Sequence, residues 1–151
     1  RNLVKSSSLL GDNMSARFHL AIEVGDLDTA VAWYRDVIGC ELGDSEAGLW
    51  QDINFWDNEL TLHSSDPDQD NTPALHDTDM KDVAVPHFGV HMPWAEFHEL
   101  LKRAKDDIIE GPYHRFEGKP REQKTVFLKD PVCIIVEMKT MLDPETLWKA
   151  D

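Results

Sequence analysis

Hydrophobic and polar positions alternate along residues 17–24 and again along residues 86–92, and each stretch runs straight into a helical rhythm. Alternation puts successive side chains on opposite faces of a strand. The first strand therefore gathers His19, Ala21 and Glu23 on one face, and the second gathers His87, Gly89 and His91. Phe88, Val90 and Met92 share the opposite face of the second strand. Beyond the first strand, Leu27, Ala30, Val31, Tyr34, Val37 and Ile38 recur at three- and four-residue steps. That is one apolar face of a helix, with Asp26 or Asp28 to cap its start and Gly39 to end it. Beyond the second strand, Trp94, Phe97, Leu100, Leu101 and Ala104 give the same signal across residues 93–105, with Pro93 near the first turn.

Three short strands are predicted after each helix. In the first half they cover residues 40–42, 49–55 and 59–63, the last two joined by a turn at Trp56-Asp57-Asn58. In the second half they begin at Ile108 and Ile109 and continue over 124–128 and 132–138. Lys129-Asp130-Pro131 turns between the last two, and residues 142–150 predict a short terminal helix. Each half thus reads β-α-β-β-β, at an offset of about 70 residues. The expected class is α+β, with two small sheets, each covered by a helix on one face and needing cover on the other. The expected organisation is a flexible leader over 1–15, modules over 16–64 and 86–140, a linker loop over 65–85 and a tail over 141–151, together forming one domain. Met14 stands as a candidate natural start within the leader, whose Arg, Lys and Ser residues resemble those of a transit segment faintly.

Composition narrows the functional classes. Twenty-nine acidic residues against 15 basic ones give a formal net charge of −14, which disfavours nucleic acid and anionic membrane surfaces as partners. No apolar run is long enough to span a bilayer. Cys40 and Cys133 are far apart in sequence and set in or beside apolar stretches. Two reduced thiols are expected, which suits a reducing compartment, the cytoplasm first and an organelle as the alternative.

Four polar positions recur at the first and last strands of the halves: His19, His63, His87 and Glu137. Each stands opposite the apolar residues that face the helix. Three imidazoles and a carboxylate toward one cleft have the composition of a metal site, and imidazole with carboxylate suits Fe(II), Mn, Ni, Co or Zn better than Ca or Mg. His91 shares the face of His87 one strand repeat further on and is a candidate for supporting or substrate contact, as is Glu59. Tyr113, Arg115, Lys119 and Arg121 lie in a loop-rich stretch that can close on the cleft and bind an anionic group. His76, His98 and His114 read as loop or helix-surface residues.

The chain resembles the vicinal oxygen chelate superfamily, the glyoxalase, bleomycin-resistance and extradiol-dioxygenase group. The resemblance rests on Phe18-His19-Leu20-Ala21, on Asp26-Leu27-Asp28-Thr29-Ala30 with Trp33-Tyr34-Arg35-Asp36-Val37-Ile38-Gly39, on Pro86-His87-Phe88-Gly89-Val90 and on Phe127-Leu128-Lys129-Asp130-Pro131 leading to Val136-Glu137. It covers nearly all of residues 17–139. It implies paired βαβββ modules forming a half-open barrel around a divalent metal, with His19, His87 and Glu137 as the two-histidine, one-carboxylate ligand set. His63 falls where the family has its fourth position, as a further ligand or an acid/base, and Glu59 is a weaker substitute. The turn before the last strand, Pro131-Val132-Cys133, departs from the family's glycine-containing one. The resemblance implies a metal-dependent enzyme acting on a small substrate with adjacent oxygens, Fe(II) being the first expectation, with a homodimer as an open arrangement. An extradiol-type dioxygenase is the leading expectation, a glyoxalase-like lyase or isomerase the second, and a metal-free drug-binding protein the third.

Overall fold

The computed structural model describes residues 15–78 and 82–149 of the chain; the expected leader lies almost wholly outside them. Two four-stranded sheets carry the architecture. The first contains β1 (His19–Glu23), β2 (Glu41–Glu46), β3 (Trp50–Phe55) and β4 (Asn58–His63), in the spatial order β1-β4-β3-β2. Between them, β5 (Ala74–Asp77) and β6 (Asp82–Val85) pair as an antiparallel hairpin. The second sheet repeats the order with β7 (Phe88–His91), β10 (Ile135–Met141), β9 (Gln123–Lys129) and β8 (Ile108–Arg115). In both sheets the first strand lies parallel to the last and all other pairs are antiparallel. The repeated β-α-β-β-β pattern and the α+β class are thus what the chain adopts.

Local chemistry explains the elements. Asp26 caps α1 (Leu27–Trp33) by accepting from the Thr29 amide at 2.8 Å. The helix then widens into a π-helical turn over Tyr34–Ile38, where the Tyr34 carbonyl accepts from both Gly39 and Cys40 amides. Gly39 ends it at φ 91°, and a side chain there would strike the Arg103 guanidinium, 2.6 Å from an added Cβ. Trp56 and Asp57 both take positive φ in the two-residue turn joining β3 and β4, the twist that hairpin loops favour. In the turn before β10, Cys133 takes the left-handed conformation at φ 68°. A non-glycine residue thus fills the position whose departure from the family pattern the sequence reveals. Asp130 supports that turn by accepting from the Val132 and Ile134 amides at 2.9 and 2.8 Å.

One apolar core serves both halves. Leu60, Leu62, Ile53 and Phe55 from the first sheet share it with Val126, Leu128, Val136 and Met138 from the second, and Tyr34, Phe97 and Leu100 of the helical segments fill it. Polar ties cross the same boundary. Tyr34 donates to Asp130 at 3.2 Å, Trp33 to Asp107 at 3.0 Å, and Arg103 to the Ile38 carbonyl at 3.0 Å. The face of each sheet opposite this core carries the candidate ligands.

Three expectations are corrected. The stretch expected to be a linker loop contains the β5–β6 hairpin, because Ala74, Leu75, Val83, Ala84 and Val85 give enough extended, β-prone backbone to pair. The stretch expected to be loop-rich after Gly111 is strand as far as Arg115, where β8 ends after register shifts along β9, and is turn and coil over 116–122. The C-terminal helix is a single 3-10 turn over Pro144–Thr146, started by Asp143.

Candidate metal centre

His87 sits immediately before β7, at the edge of the second sheet, and Glu137 lies in the adjacent β10 opposite Gly89. Their side chains meet, with His87 Nε2 3.0 Å from Glu137 Oε2. The other ring nitrogen, Nδ1, is 2.6 Å from the Ala84 carbonyl oxygen of β6. A carbonyl only accepts, so Nδ1 carries the proton and donates. Nε2 of the neutral ring then turns a lone pair toward a carboxylate oxygen. That contact is attractive only with a cation between the two, a proton or a metal ion. Two neighbouring ligands at about 2.1 Å from an octahedral ion lie about 3 Å apart. The donor set and its spacing therefore fit a divalent metal.

The remaining groups around the pair hold it still. Thr125 Oγ1 donates to Glu137 Oε1 at 2.7 Å, so one carboxylate oxygen is fixed while the other faces His87. Thr125 is buried, and the His87 ring stands edge-on to Phe127 at 5.7 Å between centroids. Gly89 is the residue that lets β7 approach β10 this closely. A Cβ at position 89 would lie 1.6 Å from the Glu137 carbonyl oxygen, so any side chain there forces the strands apart. Lys139, two residues along β10 from Glu137, brings its ammonium to 3.7 Å from Oε1. His91 pairs with Lys139 in register and lines the same cavity. Partial burial, then Lys139, hold its ring below the ordinary imidazole value, and Glu137 pulls the other way.

His19 is prepared in the same fashion but elsewhere. It lies opposite Glu59 in the β1–β4 ladder, with Nδ1 2.6 Å from Glu59 Oε1. The carboxylate fixes the Nδ1–H tautomer and leaves Nε2 as the open donor, the arrangement that orients a histidine for metal binding. Both side chains are more than half exposed. Among the described residues no group of three His, Cys, Asp or Glu side chains stands together closely enough to hold a metal. The chain thus brings His87 to Glu137 and His19 to Glu59; Glu59 lines the same cavity as His87 and Glu137, but among the described residues the two pairs do not close into one metal-holding group.

The other sequence candidates fall away from this centre. His63 pairs with Glu23, four strand positions beyond Glu59, or about 13 Å along the sheet. Register equates Glu137, opposite Gly89, with Thr61, opposite Ala21, so His63 corresponds to Lys139. Tyr113 and Arg115 are in β8, the strand farthest from β7 in the sheet, and Tyr113 hydrogen-bonds Glu110. Neither lines the cavity at His87, nor does Arg121. His114 is exposed, as a surface reading expects, with Glu122 at 2.8 Å, while His98 is partly buried and accepts from Lys124 at 3.0 Å beside Trp94. Thr125 and the Ala84 carbonyl gave no sequence signal, because only the ladder and the hairpin bring them to Glu137 and His87. Lys139 was discoverable by its two-residue offset from Glu137.

No family model matches the sequence, and no curated protein matches it. Solved structures do. A glyoxalase/bleomycin resistance protein/dioxygenase from Alicyclobacillus acidocaldarius is 29% identical, with 88% of this chain and 96% of that one covered at a TM-score of 0.67. A lactoylglutathione lyase from Agrobacterium tumefaciens is 24% identical, covering 92% and 100% at 0.57. A glyoxalase/dioxygenase from Nostoc punctiforme is 17% identical, covering 87% and 94% at 0.64, and these last two share the fold.

Proposed function

From a chain that belongs to the vicinal oxygen chelate superfamily, we propose a divalent-metal-dependent enzyme acting on a small substrate with two adjacent oxygens. His87 and Glu137 are the core of its metal site. The observation that carries this is the 3.0 Å approach of His87 Nε2 to Glu137 Oε2 while Nδ1 is committed to a backbone carbonyl. When bound, the ion supplies Lewis-acid polarisation of the two substrate oxygens and a meeting point for them. The chain's own residues do the rest. Ala84 and Thr125 hold the ligands in place, Gly89 keeps the strands close, and His91 and Lys139 face the bound molecule.

The third ligand is His19 of a second copy. Its Nε2 is left open by Glu59, its ring is exposed, and among the described residues no further ligand group joins the His19–Glu59 pair. A homodimer exchanging His19 completes two sites at once. Extradiol-type cleavage is the leading reaction, because two histidines and one carboxylate leave positions open for substrate and dioxygen on Fe(II). A glyoxalase-type isomerisation is the second reading, supported by the fold shared with the lyase from Agrobacterium tumefaciens.

Two measurements test this. Iron-loaded protein should consume oxygen with catechols and not act on hemithioacetals; nickel- or zinc-dependent action on a hemithioacetal reverses the order. His19→Ala and His87→Ala variants should each be inactive alone. Mixed and allowed to exchange subunits, they should regain activity, since one site of the mixed dimer is intact. No regain refutes the exchange of His19.

A further inference from the structure

The exchange of His19 between copies fixes where they meet. Each copy's His19 must fall at the other's His87–Glu137 pair. The two-fold rotation that swaps these two places passes through the midpoint between them. A cavity of about 650 Å³ borders both places. Glu59, which holds His19 at 2.6 Å, lines it, and so do His87 and Glu137. The axis therefore runs through this cavity, and its walls face their own counterparts in the second copy.

Those walls have the character of an interface core. Phe18, Leu20, Phe88, Val90 and Trp148 make them largely apolar. Their charged side chains are already paired within the chain, Glu59 with His19 and Lys139 with Glu137. Phe18 is 66% exposed and Trp148 90%, so neither packs this chain's own core. Trp148 is nonetheless presented from a fixed turn. Asp143 starts the 3-10 turn before it, and Thr146 is buried with its hydroxyl on the Asp143 carbonyl at 2.7 Å. Leu147 lines the same cavity. A tryptophan held ready in water is the kind of residue on which protein interfaces concentrate their binding energy.

We propose that the partner of this apolar wall is a second copy of the chain, seated about that axis, and that Trp148 is the residue that seats it. The inference rests on the exchange of His19 and names the surface through which it is made. Two chains of net charge −14 repel each other. Apolar burial must offset that repulsion, and salt, by screening it, strengthens the dimer.

The test is sedimentation velocity of the full chain after chelation, over a range of protein and salt concentrations. Wild type should be a dimer that tightens as salt is added. Trp148→Ala should weaken it about thirtyfold or more, the cost of truncating an interface tryptophan. Trp148→Phe should keep most of the affinity, and Lys149→Ala, one residue further on, all of it. Trp148 lies 90% in water in the single chain, so its loss leaves the core intact. A monomeric wild type, a dimer that loosens as salt is added, or a Trp148→Ala dimer of undiminished affinity overturns the proposal. Zinc titration of the same samples separates the two readings. A Trp148-dependent dimer that binds no zinc through His87 would remove the metal reading and leave this surface. Zinc held through His87 in a dimer indifferent to Trp148 would do the reverse.

Discussion

Replacing Thr125 by valine isolates the positioning of Glu137 from the ligands themselves. The two side chains are nearly isosteric, so the change removes one hydroxyl from a buried site and leaves packing almost untouched. What is lost is the 2.7 Å hydrogen bond to Glu137 Oε1. The nearest remaining charge, Lys139 Nζ at 3.7 Å, is too distant to replace it. A hydrogen bond to a charged acceptor contributes about 1.5–3 kcal/mol. Two effects compete once it is gone. The carboxylate becomes a slightly more basic ligand, which strengthens binding, and it gains rotational freedom in the metal-free state, which weakens it. Glu137 is 14% exposed, so water does little to hold it, and the loss of order dominates. Metal affinity should therefore fall about 10- to 100-fold, the usual cost of deleting a partner of a ligand, or about 1.4–2.8 kcal/mol. Competition with a chromogenic chelator measures it, with Thr125→Ser as the variant that keeps the hydroxyl and the affinity. Wild-type affinity in a folded Thr125→Val protein would refute the reasoning.

Further outcomes follow from the same geometry. Gly89→Ala should lower the thermal midpoint and abolish metal binding together, since its Cβ would overlap the Glu137 carbonyl oxygen; a variant that binds metal normally would contradict the close approach. Tyr34→Phe should cost about 1–3 kcal/mol in urea unfolding, because it strips a buried partner from Asp130 at the junction of the two halves. Burial holds the Asp130 carboxyl above its ordinary value, although the Ile134 and Val132 amides and the Tyr34 hydroxyl pull it down. The folded chain therefore binds that proton more readily than the unfolded chain, and this group's contribution to stability is lost as pH rises from about 3.8 through its raised value. Asp130→Asn should remove that decline, seen as a wild-type-minus-variant stability difference that shrinks as pH rises through the window; a constant difference would contradict the sign.

Much of the fold was legible because the core pattern is strong in both halves. The alternation that opens each half and the apolar faces of Leu27–Ile38 and Trp94–Ala104 correspond to edge strands and covering helical segments. That His87 and Glu137 face the same side has the same origin, each standing opposite residues committed to the core, and the structure brings their side chains into contact. Register was not legible. The equation of His63 with Glu137 fails by two residues, because no local signal tells which residue of β4 lies opposite which residue of β1. The β5–β6 hairpin was hidden by its Asp, Asn and Pro neighbours, yet it supplies the carbonyl that sets the tautomer of His87. Cys133 shows the limit of reading turns by composition, since it occupies a left-handed position without being glycine.

The account stands most directly on the metal content of protein purified without chelators and reconstituted separately with Fe(II), Mn, Ni and Zn. It predicts one tightly held divalent ion per chain in the wild type, lost in His87→Ala and in Glu137→Gln and retained in His63→Ala. A wild type that holds no ion at stoichiometry, or a His87→Ala variant that holds it undiminished, would contradict it.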